Sequence, residues 1–172
     1  MDGIHDIFAP KDNSKLERFK ARILNGLLYR ETMIDVSDID ISDSEIQYTY
    51  GTNHLTGTYA VRSIVNNNTF YSGAPMAEFP EFIYDSDDKV AAVKFTYNLA
   101  WTTDFVKKVV AGYDEAIAVI KPGDSDFAKI LKFHDWVVAN VSYGMSKTYA
   151  DYAVGAFANR SATCAGYTRC YQ

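Results

Sequence analysis

The sequence predicts an α+β protein, mostly helical with one small antiparallel sheet, and three observations carry that prediction. Several long stretches repeat apolar residues at helical spacing and follow a Ser or Thr that can cap them. Residues 93–99 alternate apolar and polar side chains, as a half-buried strand does. The chain has 172 residues and is 48% hydrophobic, which is enough apolar surface to fill a core.

The first helix follows Ser14. Leu16, Phe19, Ile23, Leu27 and Leu28 share one face, and Ser14 with Glu17 has the spacing of a capping box. Ile34, Val36, Ile39 and Ile41 then read as short extended or turn segments. Ser42 and Glu45 offer a second capping box, for a helix that weakens at Gly51. A further helix runs through "HLTGTYAVRSIV" until the asparagines at 66–68 stop it. Pro75 and Pro80 argue against helix in the next stretch. "FIY" at 82–84, the "SDD" turn at 86–88 and the alternating Val93, Phe95, Tyr97 and Leu99 predict the antiparallel sheet, near 79–99.

Two long helices follow. The first carries Val106, Val109, Val110, Tyr113, Ile117 and Ile120, and Pro122 with Gly123 ends it. The second is capped by Ser125 and places Phe127, Ile130, Leu131, Val138 and Val141 on one stripe. Phe133, Trp136 and Val137 widen that stripe, so the helix is expected to be buried on most sides, Trp136 with it. A shorter helix lies within 146–159, "RSAT" at 160–163 reads as a turn, and Cys164 opens a last helical segment.

Composition narrows the function classes. The formal net charge is −5, and Lys and Arg are scattered singly or in pairs. With no basic block, nucleic acid is not expected as a partner. The apolar runs are short and broken by charge, so no membrane span is expected. The start "MDGIHDIFAPKDNSK" has no signal-peptide pattern. The richness in Tyr, Asn, Ser and Thr suits a secreted or cell-surface protein. Cys164 and Cys170, placed on one helix, would point about 240° apart, which argues against a disulfide between them.

Cys164 is the candidate catalytic residue. A thiol becomes nucleophilic when its pKa falls, and a helix N-terminus favours that. Ala165 and Gly166 beside it would let a substrate backbone approach. Against this stands inert packing, the usual role of a lone cysteine. With so short a C-terminal segment, both thiols are expected to be accessible, Cys164 reacting at most somewhat faster near neutral pH. His134 lies on the apolar stripe of its helix and reads as a core histidine. Asp135, the next residue, points about 100° away from it on a helix. Neither is assigned a catalytic role. Asp85, Asp87 and Asp88 read as a solvated hairpin turn rather than a Ca²⁺ loop, since the spacing of an EF-hand is missing. No paired zinc spacing occurs, so no metal and no cofactor are expected. Tyr48, Tyr50, Tyr59, Phe70 and Tyr71 read as core before they read as a glycan or peptide groove.

The stretch from Ile130 to Gln172 resembles the transglutaminase-like cysteine enzymes of bacteria. Asn140, Val141 and Tyr143 match the family's "N-V-x-Y" element, Gly155, Ala156 and Phe157 its "G-A-F/L" segment, and Cys164, Gly166 and Tyr167 its "C-x-G-Y" motif. The resemblance implies a papain-like arrangement in which Cys164 is the nucleophile, a later histidine its base and a later aspartate the orienter of that base. It implies cysteine-dependent acyl transfer or hydrolysis on a peptide or protein substrate, at the cell surface or outside the cell. Residues 1–122 would be an accessory N-terminal domain and 123–172 the first, helical half of the core. His5, His54 and His134 all precede Cys164, so no position here receives the family's histidine or aspartate. The chain therefore reads as one that stops short of the catalytic sheet and lacks activity by itself. The alternative is a non-catalytic extracellular interaction or scaffold module. Water and amine as acyl acceptors are not distinguished by these residues.

Overall fold

The computed structural model describes residues 7–49 and 57–171, and its architecture is α+β. The chain divides into two compact units, one of Met1–Asn67 with Pro75–Leu99, the other of Asn68–Ala74 with Ala100–Gln172.

In the first unit, α1 (Lys15–Leu28) begins where the Ser14 hydroxyl accepts the Glu17 amide at 3.3 Å. Only half of the capping box forms, because the Glu17 carboxylate turns to Lys20 at 2.6 Å. Phe19, Ile23, Leu27 and Leu28 are fully buried, as their spacing predicts. β1 (Met33–Asp35) is followed by a 3-10 turn, Ser37–Ile39, and by α2 (Asp43–Thr49), whose capping box is complete. The Ser42 amide donates to the Glu45 carboxylate at 2.8 Å, and the Glu45 amide donates to the Ser42 hydroxyl at 3.3 Å. α3 (Gly57–Asn67) ends at the asparagines, as expected. Gly51 lies outside the described residues.

β2 (Glu81–Tyr84) and β3 (Val90–Lys94) form the antiparallel hairpin, and β1 pairs antiparallel with the other edge of β3, giving the order β1-β3-β2. The Asp85 carboxylate accepts the amides of Asp87 and Lys89, both at 2.9 Å, so this acidic residue is occupied in building the turn. The strand expected over 93–99 lies earlier. Met33 of β1 and Glu81 of β2 both stand opposite Lys94, so the ladder ends where its two neighbours end. Beyond it Phe95 is buried, Tyr97 makes a single bridge to Met76, and Leu99 is 96% exposed despite the alternation.

The second unit contains α4 (Thr103–Ile117), α5 (Asp126–Asn140), β4 (Ser142–Tyr143), α6 (Ala153–Asn159), β5 (Ser161–Ala162) and α7 (Cys164–Cys170). The Thr102 and Ser125 hydroxyls cap α4 and α5 by accepting the amides of Phe105 and Ala128. α4 packs on α6 so closely that a side chain at Gly112 would run into the Phe157 carbonyl. The core gathers Ala116, Trp136, Val137, Val141, Ala156 and Phe157. Trp136 is 7% exposed, as expected, with the Arg160 guanidinium over its ring at 4.6 Å.

α5 departs from its expected burial on most sides. Only Trp136 and Val137 of this helix are buried. Phe127 is 76%, Ile130 63%, Leu131 47% and Val138 63% exposed. The helix is apolar over a wide arc, and its neighbours cover only the part that holds Phe133, Trp136 and Val137.

Candidate functional site

Cys164 is the first residue of α7, and its presentation is built by the residues just before it. Arg160 ends α6 in the left-handed region, with φ of 53°, and turns the chain sharply. Ser161 and Ala162, read from the sequence as part of a turn, form β5 instead, which runs parallel to β4. The amides of Ser142 and Gly144 donate to the carbonyls of Arg160 and Ala162, at 2.9 and 3.0 Å. Two residues of parallel pairing leave no alternation for a sequence to display. Thr163 is buried and extended. Its amide donates to the Ala150 carbonyl at 3.0 Å, and its hydroxyl to the Asp151 carboxylate at 2.6 Å.

α7 is fixed at both ends. A side chain at Gly166 would collide with the Ala150 carbonyl, so this glycine serves the approach of the protein's own backbone. The Tyr167 hydroxyl donates to the Val141 carbonyl, and its ring stacks on Tyr143 with centroids 6.5 Å apart. Tyr171, just past the helix, meets Phe133 edge-on at 5.4 Å. Arg169 reaches the Asp151 carbonyl and lies over the Tyr152 ring. These contacts hold a helix of only 7 residues that would be marginal alone.

The two thiols differ. Cys164 is exposed, and among the described residues its thiol makes no hydrogen bond. Cys170 is half-buried, its thiol donates to the Gly166 carbonyl at 3.3 Å, and burial pushes its pKa up to about 12. Comparable accessibility of both, expected from the sequence, is therefore corrected: the inward side of α7 claims Cys170. Both are free cysteines.

His134 is exposed, not a core residue, because the α5 stripe that carries it is uncovered. Its Nδ1 lies 3.3 Å from the Asp135 carboxylate and its ring centroid 6.4 Å from that of Tyr171. Adjacent side chains on a solvated helix face swing towards each other, which the 100° separation of their Cβ atoms alone does not forbid. His5 and His54 lie outside the described residues. The remaining motif positions serve packing. Asn140 donates to the Trp136 carbonyl at 2.8 Å, Ala156 and Phe157 lie in the core, and Gly155 clears the Tyr149 carbonyl. Among the aromatics considered for a groove, Tyr71 is fully buried, Phe70 packs against the second unit's core, and Tyr59 is exposed beside Phe79. Tyr48 and Tyr50 lie outside the described side chains.

No group of three or more His, Cys, Asp or Glu able to hold a metal occurs among the described residues. No described helix is long and apolar enough to cross a membrane. No family model, no curated protein and no solved structure matches the chain.

Proposed function

We propose that Cys164 is the nucleophile of a cysteine-dependent acyl transfer or hydrolysis acting on a peptide or protein. The observation that carries this reading is the contrast between the two thiols: Cys164 is exposed at the first residue of α7, while Cys170 is drawn inward and held protonated. The likeness of residues 130–172 to transglutaminase-like enzymes supports the same reading. The Cys164 thiolate attacks the carbonyl carbon of a carboxamide or peptide bond. The C–N bond breaks, the nitrogen leaves as ammonia or an amine with the proton that the base took from the thiol, and a thioester remains. Water or an amine then gives a proton to the base and attacks the thioester, expelling the thiolate and leaving an acid or a new amide.

The base belongs to residues other than those assigned here, since the Cys164 thiol has no hydrogen-bonded partner among the described residues. With no base at hydrogen-bond distance of the Cys164 thiol among the described residues, slow or no release of ammonia from a glutamine peptide is expected, because an unassisted thiol lacks the several orders of magnitude that a triad member contributes. Release that disappears in Cys164→Ala would place the base within this chain, with His134 the first residue to substitute. Where the natural polypeptide continues past Gln172, intact-mass analysis should find an acyl adduct on Cys164 that Cys170→Ala keeps and Cys164→Ala loses. A second reading, a non-catalytic interaction module, is favoured by the uncovered apolar face of α5.

A further inference from the structure

α5 turns an apolar stripe to solvent. Phe127, Leu131, His134 and Val138 follow one another at intervals of four, three and four residues, with Ile130 beside them. That spacing lies along one side of a helix. Tyr171 is also exposed and extends the patch beside His134. The lysines of α5 are already paired within the chain, and Asp135 has a hydrogen-bonding neighbour in His134. Lys129 meets Asp126 at 2.9 Å, Lys132 meets Asp124 at 2.7 Å, and Asp135 lies against His134 at 3.3 Å.

We propose that this face is a homodimer interface, in which α5 packs antiparallel on α5 of a second copy about a two-fold axis. Three features select a second copy as the occupant. The first is size: from the exposed fractions, the six side chains present roughly 600 Å². That is well beyond scattered single apolar residues and approaches the ~800 Å² that each partner gives to a standard interface. The second is symmetry. The four-three-four spacing reads the same in both directions, so an antiparallel pair sets Phe127 opposite Val138 of the second copy, and Leu131 opposite His134 of the second copy. Each contact thereby recurs reciprocally across the axis, as an isologous interface requires, and Phe127 meets the smaller Val138 at each end. The third is charge. The chain carries a net charge of −5, but the ion pairs of α5 leave this face nearly neutral, so two copies meet there without like charges opposed.

Sedimentation velocity of the 172-residue chain across a dilution series tests the proposal. The expected mass rises with concentration from 19.3 kDa to twice that value. Phe127→Glu and Val138→Lys, at exposed apolar positions of α5 that face each other in the pair, should each weaken association about tenfold or more. Their circular dichroism should stay unchanged, because neither side chain supports the fold. An equimolar mixture of the two variants should recover dimer, since the antiparallel register brings the new opposite charges together at one end and restores the original pair at the other. A chain that remains monomeric at every concentration overturns the proposal. So does a dimer that both substitutions leave intact. Failure of the mixture to recover, with both variants folded, overturns the antiparallel pairing.

Discussion

α4 and α5 are each 15 residues long and begin in the same way, with a hydroxyl side chain accepting an amide of the first turn. They then diverge. α4 lays Val106, Val109, Gly112 and Ala116 against its surroundings, and the small residues let α6 come to backbone contact. α5 is the richer in large apolar side chains, yet it buries only Trp136 and Val137. Hydrophobic content therefore does not rank helices by burial. What ranks them is whether a neighbouring element arrives, and a neighbour comes closest where the side chains are smallest.

Three substitutions sharpen that contrast, in descending order of expected effect. Trp136→Ala removes the one large side chain that α5 contributes fully to the core and strips the Arg160 guanidinium of its aromatic platform. It should cost about 3–5 kcal/mol in chemical denaturation. A loss below about 1 kcal/mol would mean that α5 is not anchored by this residue. Gly112→Ala tests the close approach of α4 and α6. Its Cβ meets main chain, which cannot rotate away, so overpacking of about 1–3 kcal/mol is expected. A neutral or stabilising outcome, as helix propensity alone would give, would show that the two helices sit farther apart. Phe127→Ala, measured at concentrations where the chain is monomeric, should change stability by no more than about 0.5 kcal/mol. A larger loss would mean that the start of α5 is covered by something within the chain.

The same contrast explains what the sequence disclosed. Features fixed by neighbours in the chain were readable: the start of α1 at the Ser14 cap, the Ser42–Glu45 box, and the hairpin turn led by Asp85. Features fixed by distant partners were not. The alternation through Leu99 gave no sign that both neighbouring strands stop opposite Lys94. The apolar stripe on α5 is legible as a stripe, but its spacing does not show that it faces solvent with His134 exposed on it. At the candidate site, the start of a helix at Cys164 was legible in the sequence. The role of Gly166 was hidden, because the carbonyl it accommodates belongs to Ala150. So was the difference between the thiols, since burial of Cys170 depends on packing that periodicity over so few residues cannot report.

That difference is where the account is most directly tested. Peptide mass spectrometry should follow iodoacetamide alkylation of Cys164 and Cys170 in the folded chain, from neutral to alkaline pH. Thiolate is the reacting form, so the rate of each thiol tracks its ionisation and its exposure. The burial that raises the Cys170 pKa favours its protonated form in the folded state. Cys170 should therefore react far more slowly than Cys164 throughout this range, until denaturant unfolds the unit. As pH rises towards 12, the ionising unfolded state gains on the folded one, so stability should fall in that window. Cys164, exposed at the start of α7, should be modified in the native protein under mild conditions. Native alkylation of Cys164 alone is the predicted result. Equal rates for the two cysteines, or a Cys164 that resists until the protein unfolds, would contradict the claim that Cys164 is the thiol this fold presents for chemistry.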